Sequence, residues 1–273
     1  MNEIQEKLLS IFKCFAKICE KHNLKYYAVG GTMLGAVRHR GFIPWDNDMD
    51  IIMPRPDYET FLTIAPSELP DNLFLQCHYT ENKWYHPFSK IRDSNTTAIE
   101  KEFLNSDINN GLWIDIFPID NRVASKAKNI VNDFVYRILM RRLMCSYKIK
   151  RNLLGKIKSI LLIIMLPSKE FCWKKMNNTL TKYNNIDGCK YFRSPWDLRP
   201  AYKYLYPYEW IRELINVKFE DTYIKIPIDY DKYLSYVFGN YMELPPLEKR
   251  TSGSHNITIL DTKRSYKDIK KTI

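Results

Sequence analysis

Cysteine is scarce in this chain and never arranged for chemistry. The 273 residues hold six, at positions 14, 19, 77, 145, 172 and 189, with no C-x-x-C pair and no close cluster with histidine. A zinc knuckle and a redox dithiol are thereby excluded, and scattered free thiols fit a reducing compartment. No Gly- or Ser-rich linker interrupts the sequence. That favours one large domain, or a small catalytic domain with a substantial accessory part. The apolar run at 160–166 has only seven residues, far short of the roughly 20 that a membrane-spanning helix needs. The opening stretch, MNEIQEKLLSIFKCF, carries acids and has neither a basic leader nor a continuous apolar core. It does not read as a signal peptide, so a cytoplasmic chain is expected.

Acidic residues are missing from one long region. Between Arg122 and Lys182 fifteen basic residues face two acids, Asp133 and Glu170, a local balance of +13 against +11 for the whole chain. The remainder is therefore slightly acidic, and the basic character belongs to one segment. Nucleotide phosphates, nucleic acid and acidic lipid are all attracted by such a surface, and charge alone does not choose among them.

Hydrophobic periodicity supplies the elements. Ile4, Leu8, Ile11, Phe12, Phe15, Ile18 and Cys19 recur at spacings of three and four, which predicts an amphipathic helix over 4–20. A short strand over 25–29 is expected to stop at Gly30-Gly31, followed by a helix over 32–38 and a turn at 41–44. Residues 49–53 read as an apolar strand closed by Pro54, with Asp57 capping the next helix. Further strands are expected over 74–78, 85–91 and 112–117, the last terminated by Pro118. Helices follow over 129–148, 153–166 and 171–183, then a hairpin from 217–219 and 223–226, a helix over 230–238, and a polar, weakly anchored tail beyond 250. The fold class is α/β (α+β): a mixed sheet carrying acidic residues, with a largely helical, basic accessory region. The expected division is a catalytic core at 1–121, a basic helical insertion at 122–190 and a C-terminal part at 191–273.

The chemistry concentrates in the run GGTMLGAVRHRGFIPWDNDMDI at 30–51. With Asp48 and Asp50 at the mouth of a strand, a spacing of two puts both carboxylates on one face. Such neighbours repel unless a proton or a cation intervenes. A divalent ion resolves the conflict, and oxygen ligands suit Mg²⁺, with Mn²⁺ chemically acceptable. D-x-D alone is common and also fits a surface turn, but Met49, Ile51 and Ile52 draw this one toward a core. Asp115, inside GLWIDIFP, is a charge amid bulky apolar neighbours and needs a partner if buried; a metal shared with the Asp48 strand would be one, backbone donors at a strand end another. Asp46 sits on the approach and is a candidate for orienting the loop or a metal-bound water, while Asp120 fits a turn. Gly30, Gly31 and Thr32 open a helix whose backbone N–H groups can approach phosphate. Arg38, His39 and Arg40 offer positive charge to phosphate oxygens, with Arg the bidentate partner. Lys90 and Arg92 are candidates for contacting donor phosphates, with ordinary surface positions as the alternative. Arg55 and Asp57 are expected to pair locally.

The segment GGTMLGAVRHRGFIPWDNDMDIIMPRPDYETFL closely resembles the signature of the LicD family, bacterial phosphocholine transferases related to fukutin-related proteins and to the nucleotidyltransferase superfamily. FSKIRDSNTTAIE at 88–100, GLWIDIFPID at 111–120 and YLSYVFGNYMELPPLEKR at 233–250 resemble later family blocks in the same order. The resemblance implies Gly30, Gly31 and Thr32 for phosphate approach and Asp48, Asp50 and Asp115 as metal-binding and catalytic carboxylates. It further implies CDP-choline or another CDP-alcohol as donor, a glycan or lipid-linked glycan as acceptor, as in lipopolysaccharide decoration, and release of CMP. Two departures stand out: Asn47 interrupts the acidic run, and Asn240 follows Gly239 with His255 the only histidine downstream.

Three function classes follow: a phosphoalcohol transferase, a nucleotidyltransferase moving NMP from NTP, and a non-catalytic nucleic-acid-binding or scaffold protein. The last leaves the acidic residues unexplained, and no RNA- or DNA-binding motif is present, so nucleic acid is the disfavoured partner. Trp84, Tyr85, Trp113, Trp196 and Tyr202 are available for a choline cage. The apolar run at 160–166, flanked by Lys156, Lys158 and Lys169, fits a helix lying on an anionic membrane, at the inner face, or equally one packed against the core.

Overall fold

A computed structural model describes residues 1–145, 152–166, 168–195, 205–250 and 256–272. The chain opens with α1 (Glu3–Lys21), started by a capping box in which the Asn2 side chain accepts from the Gln5 N–H at 2.9 Å and the Gln5 side chain accepts from the Asn2 N–H at 3.0 Å. Its apolar stripe is buried, with Phe12 and Phe15 fully enclosed. There follow β1 (Tyr27–Ala28), α2 (Gly30–His39), β2 (Asp50–Pro54), α3 (Arg55–Glu68), β3 (Leu73–Gln76), β4 (Ser89–Asp93), β5 (Thr97–Glu100) and β6 (Leu112–Arg122). The basic region supplies α4 (Lys126–Met144), α5 (Leu153–Met165) and α6 (Lys169–Thr181). The remainder is β7 (Tyr191–Arg193), β8 (Tyr206–Pro207), the hairpin β9 (Leu214–Phe219) and β10 (Thr222–Pro227), α7 (Tyr230–Phe238), β11 (Ile257–Asp261) and α8 (Tyr266–Thr272).

The architecture is α/β. The main sheet runs β1-β2-β6-β4-β3, with β7 added to the far end of β6 and β8 to β7. Only the β2–β6 pair at its centre is parallel; the other pairs in this sheet are antiparallel. Ile51, Ile52 and Met53 are all buried, as a strand covered on both faces requires. The aromatic core beneath includes Phe15 in edge contact with Tyr26 and Phe61, ring centroids 5.0 and 5.1 Å apart.

Several expectations require correction. Pro118 does not end its strand: β6 continues to Arg122, with Pro118 opposite Met53. The Asp115 N–H donates to the Met49 carbonyl, so by alternation an N–H at 118 would face away from β2. On that side the pairing with β4 stops at Ile116 and the pairing with β7 starts at Asp120, so proline's missing donor falls between two partners. The strand expected over 85–91 is displaced to β4, and β5 is a strand the sequence reading did not place. Asp57 lies in the first turn of α3 rather than at its cap, and Arg55 pairs with Asp120 and Glu59 instead. Asp120 is no turn residue but a fully buried member of β6.

The tail is anchored. β11 pairs with β5, Ile269 on α8 is buried, and the Lys270 ammonium donates to the Ser106 and Ile108 carbonyls at 2.6 and 3.2 Å. Polar composition concealed this because β11 is a half-exposed edge strand whose attachment is mainly through its backbone.

Candidate active site

The parallel β2–β6 pairing sets Asp50 opposite Asp115, and the antiparallel β6–β4 pairing sets Asp115 opposite Lys90. Register partners share a sheet face, so the three form a row across three strands spaced about 4.8 Å apart. The Lys90 ammonium is 3.7 Å from Asp115 Oδ1 and 3.4 Å from Glu100 Oε2, and it lies 3.8 Å from the centre of the Trp113 ring. The Trp113 indole N–H donates to Asp115 Oδ2 at 2.8 Å, fixing that carboxylate. Asp115, Lys90 and Trp113 are all buried.

β2 begins at Asp50, so Asp48 lies in the irregular segment just before the strand rather than on its face. Its charge nevertheless acts on Asp50. Burial, then Asp48, Asp115 and Asp46, push the Asp50 carboxyl well above the usual carboxylate range, and Lys90 pulls in the opposite direction. Four carboxylates therefore converge on one end of β2.

Helix α2 starts at the same place. Thr32 Oγ1 accepts from the Asp50 N–H at 2.8 Å, and the Gly30 N–H donates to the Tyr233 hydroxyl at 3.4 Å. Gly30 has φ +59°, a left-handed conformation that favours glycine. A Cβ on Gly31 would stand 2.8 Å from Asp46 Oδ2, so the glycine admits that carboxylate against the helix start. The N-cap residue Val29 makes no side-chain cap to α2, and the helix dipole is directed at the acidic groups. The N-terminus of α1 braces the acidic loop, with the Gln5 amide donating to the Asp46 carbonyl at 2.9 Å and the Asn2 amide to Asn47 Oδ1 at 2.8 Å. Asn47 thus has a structural partner where the family resemblance leads one to expect another acid.

The remaining predicted residues fall elsewhere. Arg38 is near the other end of α2, about 12 Å along the helix from Gly30, where its guanidinium donates to His39 Nε2 and to the carbonyls of Tyr241 and Glu243. Arg92 is fully buried and donates to Gln76 Oε1 at 2.6 Å, the Gly111 carbonyl at 2.8 Å and Glu100 at 3.4 Å. Neither it nor Lys90 holds an ordinary surface position. Trp113 and Trp84 are faced by Lys90 and Arg92, so their rings are not open to choline. Trp196, Tyr202 and His255 lie outside the described residues. Sequence reasoning missed Glu100, which joins both buried cations, and Tyr233, which reaches Gly30 from 203 positions away. Glu100 ends the FSKIRDSNTTAIE block and Tyr233 opens YLSYVFGNYMELPPLEKR, so both stood within segments already singled out.

Among the described residues, no three Asp, Glu, His or Cys side chains stand as a ready-made metal cage. Asp115 is engaged by Trp113 and Lys90, while Asp48 and Asp50 supply carboxylate oxygens at the mouth of β2. That donor set fits Mg²⁺, which keeps several waters and takes one or two carboxylates together with substrate phosphate.

The family model for "LicD/FKTN/FKRP, nucleotidyltransferase domain" matches residues 23–143. The chain is 28% identical over 258 residues to the lipopolysaccharide cholinephosphotransferase LicD of Haemophilus influenzae, covering 91% of this chain and 93% of that protein. An uncharacterized protein of Rickettsia typhi is 40% identical over 65 residues, 23% of this chain and 21% of its own. Mannosyltransferase regulator 4 of Saccharomyces cerevisiae is 25% identical over 139 residues, 49% of this chain and 11% of its own. With the acidic row, the glycine helix start and a match along nearly its whole length to a cholinephosphotransferase, residues 23–143 form a LicD-type nucleotidyltransferase domain and the chain is an enzyme of the transferase class.

Proposed function

We propose that the chain transfers phosphocholine, or a closely related phosphoalcohol, from a CDP-linked donor to a hydroxyl of a cell-surface glycan, with release of CMP. The observation that carries this reading is the convergence of Asp46, Asp48, Asp50 and Asp115 at the start of α2, in a chain similar along most of its length to a lipopolysaccharide cholinephosphotransferase. Asp48 and Asp50 would hold Mg²⁺. When bound, that ion supplies charge neutralisation at the pyrophosphate and at the attacking and leaving oxygens.

The chain's own groups carry the rest. The backbone N–H groups of Gly31 and Thr32 at the start of α2 bind donor phosphate oxygens, because the glycines allow close approach and the helix dipole favours negative charge. Asp115, oriented by the Trp113 indole, accepts the proton of the acceptor hydroxyl as it attacks phosphorus. Lys90 balances the charge of the row, and Glu100 with Arg92 holds Lys90 in place. We assign Arg92 this supporting role rather than contact with phosphate.

Incubation with Mg²⁺ and bacterial glycan, comparing CDP-choline, CDP-ribitol, CDP-glycerol and the four NTPs, tests the reading. Metal-dependent CMP release coupled to acceptor modification, and lost in Asp48→Ala, is the expected result. Transfer from an NTP with pyrophosphate release, and none from any CDP-alcohol, would replace it with nucleotidyl transfer.

A further inference from the structure

Helix α5 is built inside out. Its less exposed positions are Gly155, Ser159 and Leu162, continued by Leu166 just beyond the helix, and this stripe at spacings of three and four turns toward the protein. Leu153, Leu154, Ile157, Leu161, Ile164 and Met165 are all exposed, from 46% to 75%. No residue of α5 is buried. A helix at rest in water places its apolar stripe inward and its polar residues outward, whereas here the inward stripe within α5 is Gly155, Ser159 and Leu162 while its other leucines and isoleucines face solvent. The alternative of a helix packed into the core is thereby removed.

From this arrangement we infer that α5 is an interfacial helix that docks the enzyme on an anionic lipid surface. The surrounding charge selects this occupant. Lys156 and Lys158 are exposed on α5 itself, Lys169 and Lys174 on α6, and α5 contains no acid. Of the two acids between 122 and 182, Asp133 is bound to Arg193 at 3.0 Å and Glu170 has Lys174 and His78 beside it. A second copy docked on α5 would bring two such basic surfaces together. Anionic headgroups instead neutralise the lysines while the outer leucines and isoleucines enter the acyl boundary. Thirteen residues give a helix about 20 Å long, long enough to lie in the interface and too short to span it; no described helix is long and apolar enough to cross a membrane.

Vesicle flotation tests the inference and needs neither donor nor acceptor, so its outcome is separate from that of the transfer assay. The full chain is mixed with phosphatidylglycerol/phosphatidylethanolamine vesicles or with phosphatidylcholine vesicles. Binding to the anionic vesicles, weakened by salt, is expected. Lys156→Glu/Lys158→Glu should lower partitioning at least about twentyfold, each lysine near a charged surface being worth about fivefold. Leu154→Ser/Ile157→Ser/Leu161→Ser/Ile164→Ser should abolish it while leaving the circular dichroism spectrum intact, since these side chains support no core. Absence of binding by the parent chain, or equal binding by the quadruple variant, would overturn the inference. So would a lipid-free dimer in sedimentation velocity that the quadruple variant converts to monomer, since a second copy would then cover α5.

Discussion

Asp50 on β2 and Asp115 on β6 are register partners in the parallel ladder, and the Asp115 N–H is bonded to the carbonyl of Met49 immediately before Asp50. The separation of these carboxylates is thus set by main-chain hydrogen bonds, which gives a rigid site. Its charge is correspondingly hard to relieve without a cation.

Replacing Asp50 with Asn removes a carboxyl that burial and three acidic neighbours hold well above its usual range. The variant should melt at or above the parent temperature while CMP release falls about a hundredfold or more. Paired thermal melts and transfer assays check this, and a variant that is both active and destabilised would contradict it.

Lys90 serves Asp115 and Glu100 at once. Lys90→Met should cost about 3 kcal/mol, because breaking a buried ion pair leaves charge without compensation. Adding Glu100→Gln should recover part of that loss, and a urea double-mutant cycle with coupling indistinguishable from zero would show that the contact carries no energy.

Arg55 makes a two-pronged bond to Asp120, 2.8 Å from Nε and 2.6 Å from Nη2, with Asp120 fully buried. Arg55→Met should destabilise the chain by about 3 kcal/mol. The double variant Arg55→Met/Asp120→Asn should regain at least half of this in chemical denaturation. Failure to regain any would locate the loss in the packing of the Arg55 stem on Tyr58.

His86 is enclosed by Trp84, Phe88 and Phe103, with ring centroids 4.5, 5.2 and 6.0 Å away. Burial first, and then Lys90, lower its pKa from 6.5 to about 3. A histidine that resists protonation when folded contributes stability that is complete above pH 6.5 and is lost as pH falls toward 3. Between pH 7 and 5 the loss should be about 2 kcal/mol. Urea unfolding at both pH values should show a slope shallower by that amount in His86→Phe; equal slopes in the two proteins would refute the assignment.

Much of this organisation was legible before the structure. The 3.6-residue rhythm identified α1 and all three basic helices, and the helix over 230–238 coincides with α7. Gly30, Gly31, Thr32, Asp46, Asp48 and Asp50 lie within 21 residues of one another, so their grouping was legible as a single motif. Pro118 misled because a proline ends a strand only where its missing N–H would have met a partner, and which edge of β6 is unpaired at that point depends on where the pairing with β4 stops and the pairing with β7 starts.

The amino-acid sequence by itself determined the class of fold, the LicD-type domain and the acidic segment, since these rest on periodicity and on motifs within a few residues of one another. Only the tertiary structure decided that Lys90 and Arg92 are buried beside Glu100, that Tyr233 reaches Gly30, that the tail is pinned by β5, and that α5 turns its leucines and isoleucines outward. The physical reason is shared: sequence records which side chains are apolar or charged, while burial and pairing depend on which distant strand or helix arrives to cover them.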